Sequence, residues 1–283
     1  MNLKKKHSLR KKIENKVIYN IFSFFVQSFI IFLDKIKYKN VNKNNYKKNL
    51  ISIYTPTFNR ATILKDRAIK SVLKQSYKNF EYIIVGDGCT DNTKNIIKKI
   101  NDKRIRFVNI PRKIKYKNNI ENIWFSGPVR ASNYALKLVK GEYIARIDDD
   151  DCWTKNHLES SIKFLKKNNL EFITSGNIEI IKKRKVSPKP DIIEGSKRGA
   201  ASSFFYKSYL KIIKYNIYSW MKPHNRVNDH DFYERLKKIG VRTGYQKKLT
   251  VITKPRPGEE AIGIDQYLLS KKKYMKDYLN KSI

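Results

Sequence analysis

The 283 residues carry 40% apolar and 12% aromatic side chains, too many for a disordered chain even with 31% charged residues, and enough for one large α/β domain or two small ones. Lys and Arg number 62 against 25 Asp and Glu, a formal net charge of +37, which points to an anionic partner, either nucleic acid or a membrane surface. The excess is diffuse, and a Lys-rich chain also crowded with Asn and Ile arises from AT-rich coding alone, so charge by itself assigns nothing.

Basic residues from Lys4 to Lys12 and again at Lys35, Lys37 and Lys39 flank the first apolar run, Val17 to Leu33. Its 17 residues sit at the lower limit for crossing a bilayer. Asn20, Ser23 and Gln27 recur at helical steps opposite Phe22, Phe25, Phe29 and Phe32, so a helix here is amphipathic. Basic flanks and an aromatic face favour a helix lying in an anionic interface, with a single span and packing on the protein itself as the alternatives. No small-residue cleavage site follows, so no removed signal peptide is predicted. Residues 34–49, Lys- and Asn-rich without periodicity, read as a linker that closes a basic N-terminal segment, 1–49.

From Leu50 the pattern alternates. A β-run Leu50 to Pro56 precedes a helix Ala61 to Gln75, then a β-run Phe80 to Asp87 and a helix Asp91 to Ile100. A β-run Ile105 to Pro111 follows, then a basic loop, a helix Val129 to Val139, a β-run Glu142 to Asp149 and a helix Lys155 to Asn168. Such alternation predicts an α/β fold, a mostly parallel sheet with helices on both faces, whose ligands bind beyond the carboxyl ends of the strands. Beyond it lie a strand Phe172 to Ile181, a basic loop Lys182 to Arg198, a mixed segment Ala200 to Lys214, a helix Asp229 to Ile239 and a strand Gly244 to Ile252. The main domain is read as 50–255, with 256–283 a basic helical extension. Cys89 and Cys152 form neither a disulfide framework nor a metal pattern, which predicts a reducing, cytoplasmic setting.

Three strand ends carry polar chemistry. Tyr143 to Ile147 runs into Asp148, Asp149, Asp150 and Asp151, four carboxylates whose repulsion a bound cation would relieve. Mg2+ or Mn2+ suits such a site when substrate phosphates complete the shell. The alternative is a solvated acidic turn in which Asp151 or Thr154 caps the next helix. Val85-Gly86-Asp87-Gly88 ends another strand, where Asp87 can accept a hydrogen bond from a base or ribose and Thr90 or Asp91 can cap the following helix. Thr55-Pro56-Thr57-Phe58-Asn59-Arg60 ends the first.

Together, in this order and spacing, these three motifs resemble the inverting family-2 glycosyltransferases. The similarity is strong over about residues 50–165 and reaches more weakly to about 250. It implies the nucleotide-diphospho-sugar transferase, or A-type glycosyltransferase, fold, here preceded by an N-terminal amphipathic helix. It also implies transfer of a sugar from a nucleotide-diphosphate donor, read as a UDP-sugar, to a glycan or lipid-linked acceptor. By position, Thr55 and Asp87 hold the nucleotide, Asp148 and Asp150 form the Asp-x-Asp metal pair, and Asp151 lies close to the donor sugar. Gly86 departs from the family, which often has a second Asp there. Asn228-Asp229-His230-Asp231 resembles the segment bearing the general base, with Asn228 in place of Glu, so Asp229 falls on the base position and Asp231 is its rival. Both acids would also suit the first turn of a helix without any catalytic role. Arg130 and Asn133 are further candidates for the nucleotide or diphosphate, and Trp153 for a sugar ring or, alternatively, the core.

The whole therefore reads as a metal-dependent enzyme held at the cytosolic face of a membrane. A basic nucleic-acid-binding protein is a weaker reading, because the Lys and Arg form no recognition motif and two acidic loops occupy the ligand end of the sheet. A nucleotidyltransferase would carry a Gly-rich basic phosphate loop after the first strand, which residues 55–60 lack.

Overall fold

In the computed structural model, residues 24–112, 126–181, 184–217, 219, 227–262, 266 and 269 are described. Helix α1 covers 24–40. It is followed by β1 (Lys47–Thr57), helix α2, β2 (Phe80–Asp87), α3 (Thr93–Ile100), β3 (Ile105–Ile110), α4 (Val129–Leu138) and β4 (Gly141–Arg146). Helix α2 runs through Ala61–Leu64 and Lys70–Leu73 around a π-helical turn at Lys65–Ile69. Strands β3-β2-β1-β4 pair in that order, all parallel, so β1, β2 and β4 end on one side.

The second half mixes directions. It comprises β5 (Asp151–Trp153), α5 (His157–Lys167), β6 (Phe172–Ile181), β7 (Arg184–Val186), β8 (Asp191–Ile193), β9 (Ser196–Arg198), β10 (Phe205–Lys207), α6 (Asn228–Lys238) and β11 (Thr243–Thr253). β10 lies antiparallel between β4 and β6, β11 is parallel to β6, and β5 pairs antiparallel with β11. Strand β10 thus extends the parallel half without a break.

Alternation along the strands sorts side chains onto two faces. Ile83 and Val85 of β2 join Ala135 and Leu136 of α4 and Phe232 and Leu236 of α6 in one cluster. Tyr82 and Ile84 join Leu64 and Val72 of α2 and Leu158 and Leu165 of α5 in the other. Each fully buried side chain of this kind contributes roughly 1.5–3 kcal/mol over exposure.

Two expectations need correction. Residues 34–40 continue α1, because Ile31 and Tyr38 pack against the core at helical spacing and Asp34 is buried between them. The described part of 182–198 is strand rather than loop: β7 folds onto β6, and β8–β9 form a hairpin. Its turn is Glu194-Gly195, with φ values of 47° and 68°, the left-handed pair that closes a two-residue hairpin. Among the described residues, no helix is long and apolar enough to cross a membrane. The start of the Val17–Leu33 run, the basic loop beyond Arg112 and most of the C-terminal extension lie outside the described residues.

Candidate active site

Beyond the carboxyl ends of β1, β2 and β4 lies a cleft of about 390 Å3, lined also by the start of α6 and by residues 253–256. Its size suits a small-molecule site. Local turns hold its rim together: the Asn59 side-chain oxygen accepts from the backbone N–H of Thr90 (2.8 Å) and Asp91 (3.2 Å), locking the first motif to the second. Asp91 accepts in turn from the N–H of Ala61 and of Thr93, at the starts of α2 and α3. Gly86 has a steric reason, since a Cβ there would lie 2.6 Å from Asn109 Oδ1 and 2.9 Å from Cys89 Sγ. A second Asp at that position would require the Asn109 and Cys89 side chains to shift.

On the β2 side, Asp87 accepts from Arg130 Nη1 at 2.7 Å and faces Arg112 Nη1 at 3.5 Å. Burial raises its pKa, opposed by those two guanidiniums. Arg112 also covers the ring of Phe58, 3.7 Å from its centroid. Thr55 is not brought to the cleft: it is fully buried, bonded to Tyr82 Oη and Ile147 O, both at 2.8 Å. The threonine of this motif that lines the cleft is Thr57, the last residue of β1, at the carboxyl edge of the sheet. Asn133 is likewise committed elsewhere, to the backbone of Tyr215. Trp153 belongs to the core, stacked on His157 and donating to Ser202 O.

The four aspartates separate into different environments. Asp149 is buried, accepting from Thr57 Oγ1 and Arg60 Nη1, each at 2.7 Å. Asp151 is buried on β5, accepting from Ser202 Oγ, with no hydrogen-bond partner among the described residues for its Oδ1. Asp148 and Asp150 stay part-exposed in the cleft, 32% and 26%. Asp148 pairs with the buried Arg146 Nε at 2.9 Å. Asp150 lies 3.3 Å from Arg256 Nε and 3.6 Å from Arg60 Nη1. Burial raises the pKa of Asp148 and Asp149 from the ordinary value, opposed by Arg146 and Arg60 and aided by repulsion among the acids, and burial with that repulsion raises Asp151 well above it. None of the four caps the next helix, whose N-cap is Asn156.

That distribution bears on metal binding. Among the described residues no three acidic, His or Cys groups surround one point. Two part-exposed carboxylates and an orphaned buried oxygen nevertheless fit an ion whose remaining ligands come from a diphosphate.

Across the cleft, α6 presents Asp229 and not Asp231. Asp229 accepts from Arg198 Nη2, and its Oδ1 has no hydrogen-bond partner among the described residues. Burial would raise its pKa, but Arg198, His230 and Arg146 outweigh that and hold it below the ordinary value. Asp231 points into the core, bonded to Arg235 Nε at 2.9 Å, and is absent from the cleft wall. His230 bonds Asp191 at 2.7 Å.

Sequence reasoning missed the arginines. Arg60, Arg146, Arg198 and Arg256 arrive from four separate segments to face the carboxylates. Arg67, in the π-helical turn, donates to the carbonyls of Asp150, Lys254 and Pro255 and so ties the acidic loop to residues 254–255. Only the π turn's local geometry, common at functional sites, marks it.

Residues 52–236 match the family described as Glycosyl transferase family 2. The UDP-Glc:alpha-D-GlcNAc-diphosphoundecaprenol beta-1,3-glucosyltransferase WfgD of Escherichia coli is 35% identical over 140 residues, half of each chain. The putative colanic acid biosynthesis glycosyl transferase WcaA of E. coli K12 is 45% identical over 118 residues, 41% of this chain and 37% of that protein. The chain spans about half the length, or less, of these relatives. S. aureus TarS 1-349 in complex with UDP-GlcNAc shares the fold, with a TM-score of 0.56, 18% identity and coverage of 74% of this chain and 60% of that one. So does the mannosyltransferase PcManGT of Pyrobaculum calidifontis in complex with GDP-Man and Mn2+, with a TM-score of 0.53, 14% identity, and coverage of 86% and 68%. With the match covering well over half of its length, the chain belongs to glycosyl transferase family 2.

Proposed function

We propose that the protein transfers a sugar from a nucleoside diphosphate, read as a UDP-sugar, to an acceptor hydroxyl with inversion at the anomeric carbon, in the making of a cell-surface glycan. The observation that carries this reading is convergence. Asp87, the part-exposed pair Asp148 and Asp150, and Asp229, whose Oδ1 has no hydrogen-bond partner among the described residues, line one cleft from three separate segments. Nine carboxylates line the cleft against six Arg and Lys side chains, an acidic excess that argues against a nucleic-acid partner there despite the net charge.

In this mechanism Asp87 accepts hydrogen bonds from the nucleoside, held in place by Arg130. Arg60 and Arg256, beside Asp150, supply positive charge for the diphosphate. Asp148 and Asp150 would hold Mn2+ or Mg2+, which supplies charge neutralisation for the departing diphosphate. Asp229 takes the proton of the acceptor hydroxyl as that oxygen bonds to the anomeric carbon. The bond from that carbon to the diphosphate breaks on the opposite face, so the centre inverts.

The names of relatives support a UDP-sugar donor and a lipid-linked acceptor. An acceptor of that kind places the work at a cytosolic membrane face. Helix α1 supports peripheral adsorption there: Phe25, Phe29 and Phe32 are more than half exposed, beside Lys35, Lys37 and Lys39. Titration with a panel of nucleotide sugars, with and without Mn2+ or Mg2+, tests the reading. Metal-dependent binding of one nucleotide class with slow hydrolysis is expected; binding of none of them would refute it.

A further inference from the structure

Helix α1 has two unlike faces, and the inner one is tied to the helix that carries Asp229. Outward, Phe25, Phe29, Phe32 and Ile36 follow at three- and four-residue steps. Inward, Asp34 is buried and accepts from Nη1 of Arg235, itself buried on α6. Arg235 donates from Nε to Asp231, in the first turn of α6, and from Nη2 to Lys214 O. One guanidinium thus joins α1, the start of α6 and the segment before it. A second tie lies further along α1, where Tyr38 Oη donates to Glu171 Oε1 at 2.8 Å.

Asp229 and Asp231 stand two residues apart in one helical turn, so the turn cannot move for one acid alone. Asp231 is its inner anchor and Asp229 its cleft-facing group. Without Asp34, a buried donor of Arg235 loses its acceptor, and the guanidinium gains by turning toward water and away from Asp231. Donor-side groups have their own partners: Asp87 and Arg130 hold each other, and Arg146 holds Asp148.

We propose that Asp34 is a positioning residue for transfer: acting through Arg235 and Asp231, it fixes the first turn of α6 and with it the Asp229 carboxylate. The catalytic unit read as residues 50–255 then extends back to α1, which braces α6 through Arg235 and is not a detachable anchor. The inference rests on Asp229 as the proton acceptor and is independent of any membrane contact by α1. A displacement of about 1 Å at a reacting group is enough to cost roughly 100-fold in rate.

The test compares Asp34→Asn, Asp34→Glu and Asp229→Asn in the full chain. UDP binding with Mn2+ reports the donor side. Hydrolysis of the nucleotide sugar selected by the panel, with water in place of the acceptor, reports proton removal. Asp34→Asn is expected to lower kcat about tenfold or more with the UDP dissociation constant within twofold of the parent, and Asp34→Glu to regain part of the loss. Unchanged kcat in Asp34→Asn, or equal damage to kcat and UDP binding, overturns the positioning role. Full kcat in Asp229→Asn instead sinks the base assignment and the inference with it. Native-state hydrogen exchange on the unmodified chain gives a reading that needs no variant. Amides of residues 30–38 and of Asn228–Lys238 are expected to open together as denaturant rises. Free exchange in α1 while α6 stays protected overturns the proposal.

Discussion

Asp229 and Asp231 differ by two positions and by almost everything else: one faces the cleft with an unpartnered oxygen, the other is closed inside an ion pair. Asp229→Asn should therefore keep donor binding and slow transfer by about 100-fold, the scale of a lost general base, as single-turnover kinetics would read. Asp231→Ala should instead unfold at lower denaturant, by about 1–3 kcal/mol, because the buried Arg235 loses one of its two carboxylate partners and its Nε–H is left without an acceptor. The pH profile separates a second pair. Since Arg198, with His230 and Arg146, holds Asp229 below its ordinary value, the acid limb that Asp229 sets in single-turnover transfer by the metal- and donor-loaded enzyme lies on the acid side of a free aspartate's. Arg198→Gln should move that limb toward neutral pH; a limb that stays in place would remove Asp229 from the profile. Asp150→Ala should abolish Mn2+-dependent UDP binding in calorimetry while the melting temperature holds, since its carboxylate is part-exposed and outside the core.

Two elements bring arginines to these acids, and each has a local cause. The β8–β9 hairpin closes on two left-handed residues and delivers Arg198 to Asp229. The π turn in α2 carries Arg67, whose bonds to Lys254 and Pro255 hold the segment that bears Arg256. Helix α1 keeps its Phe row outward while Asp34 and Tyr38 dock inward. Replacing Phe25 and Phe29 by Ser leaves that docking intact, so it should weaken sedimentation with phosphatidylserine vesicles without changing UDP affinity. High salt should release much of the unmodified protein too, because basic residues near an anionic surface each contribute about 1 kcal/mol and are screened. Full-length protein that ignores such vesicles at low salt would leave the Phe row without a membrane role.

Over the whole molecule, one buried imidazole adds a pH dependence that the site does not share. His157 is fully buried against Trp153 and bonded to Thr250, and burial lowers its pKa from 6.5 to about 3. The unfolded chain binds a proton below about 6.5 that the folded one refuses. Stability is therefore whole above that pH and falls on the way down, by up to about 1.4 kcal/mol per unit. Melting temperatures between pH 6.5 and 5 should drop in the parent and stay flatter in His157→Gln. Much of the architecture was legible beforehand: β2, β3 and the helices near Val129, Lys155 and Asp229 follow from periodicity, because burial on one face repeats every two or 3.6 residues within a short window. The loops bearing Asp87 and Asp148 to Asp151 were legible for the same reason, as polar runs directly after apolar ones. Which carboxylates remain open to a ligand was not. Thr55 and Thr57 look alike in sequence and are both buried, yet only Thr57 lines the cleft; Asp34 looked like the start of a linker, yet it meets Arg235 across 201 positions. Local pattern determined which segments pair and pack, whereas the charge partners that set each acid's role come from distant segments and exist only once the chain has folded.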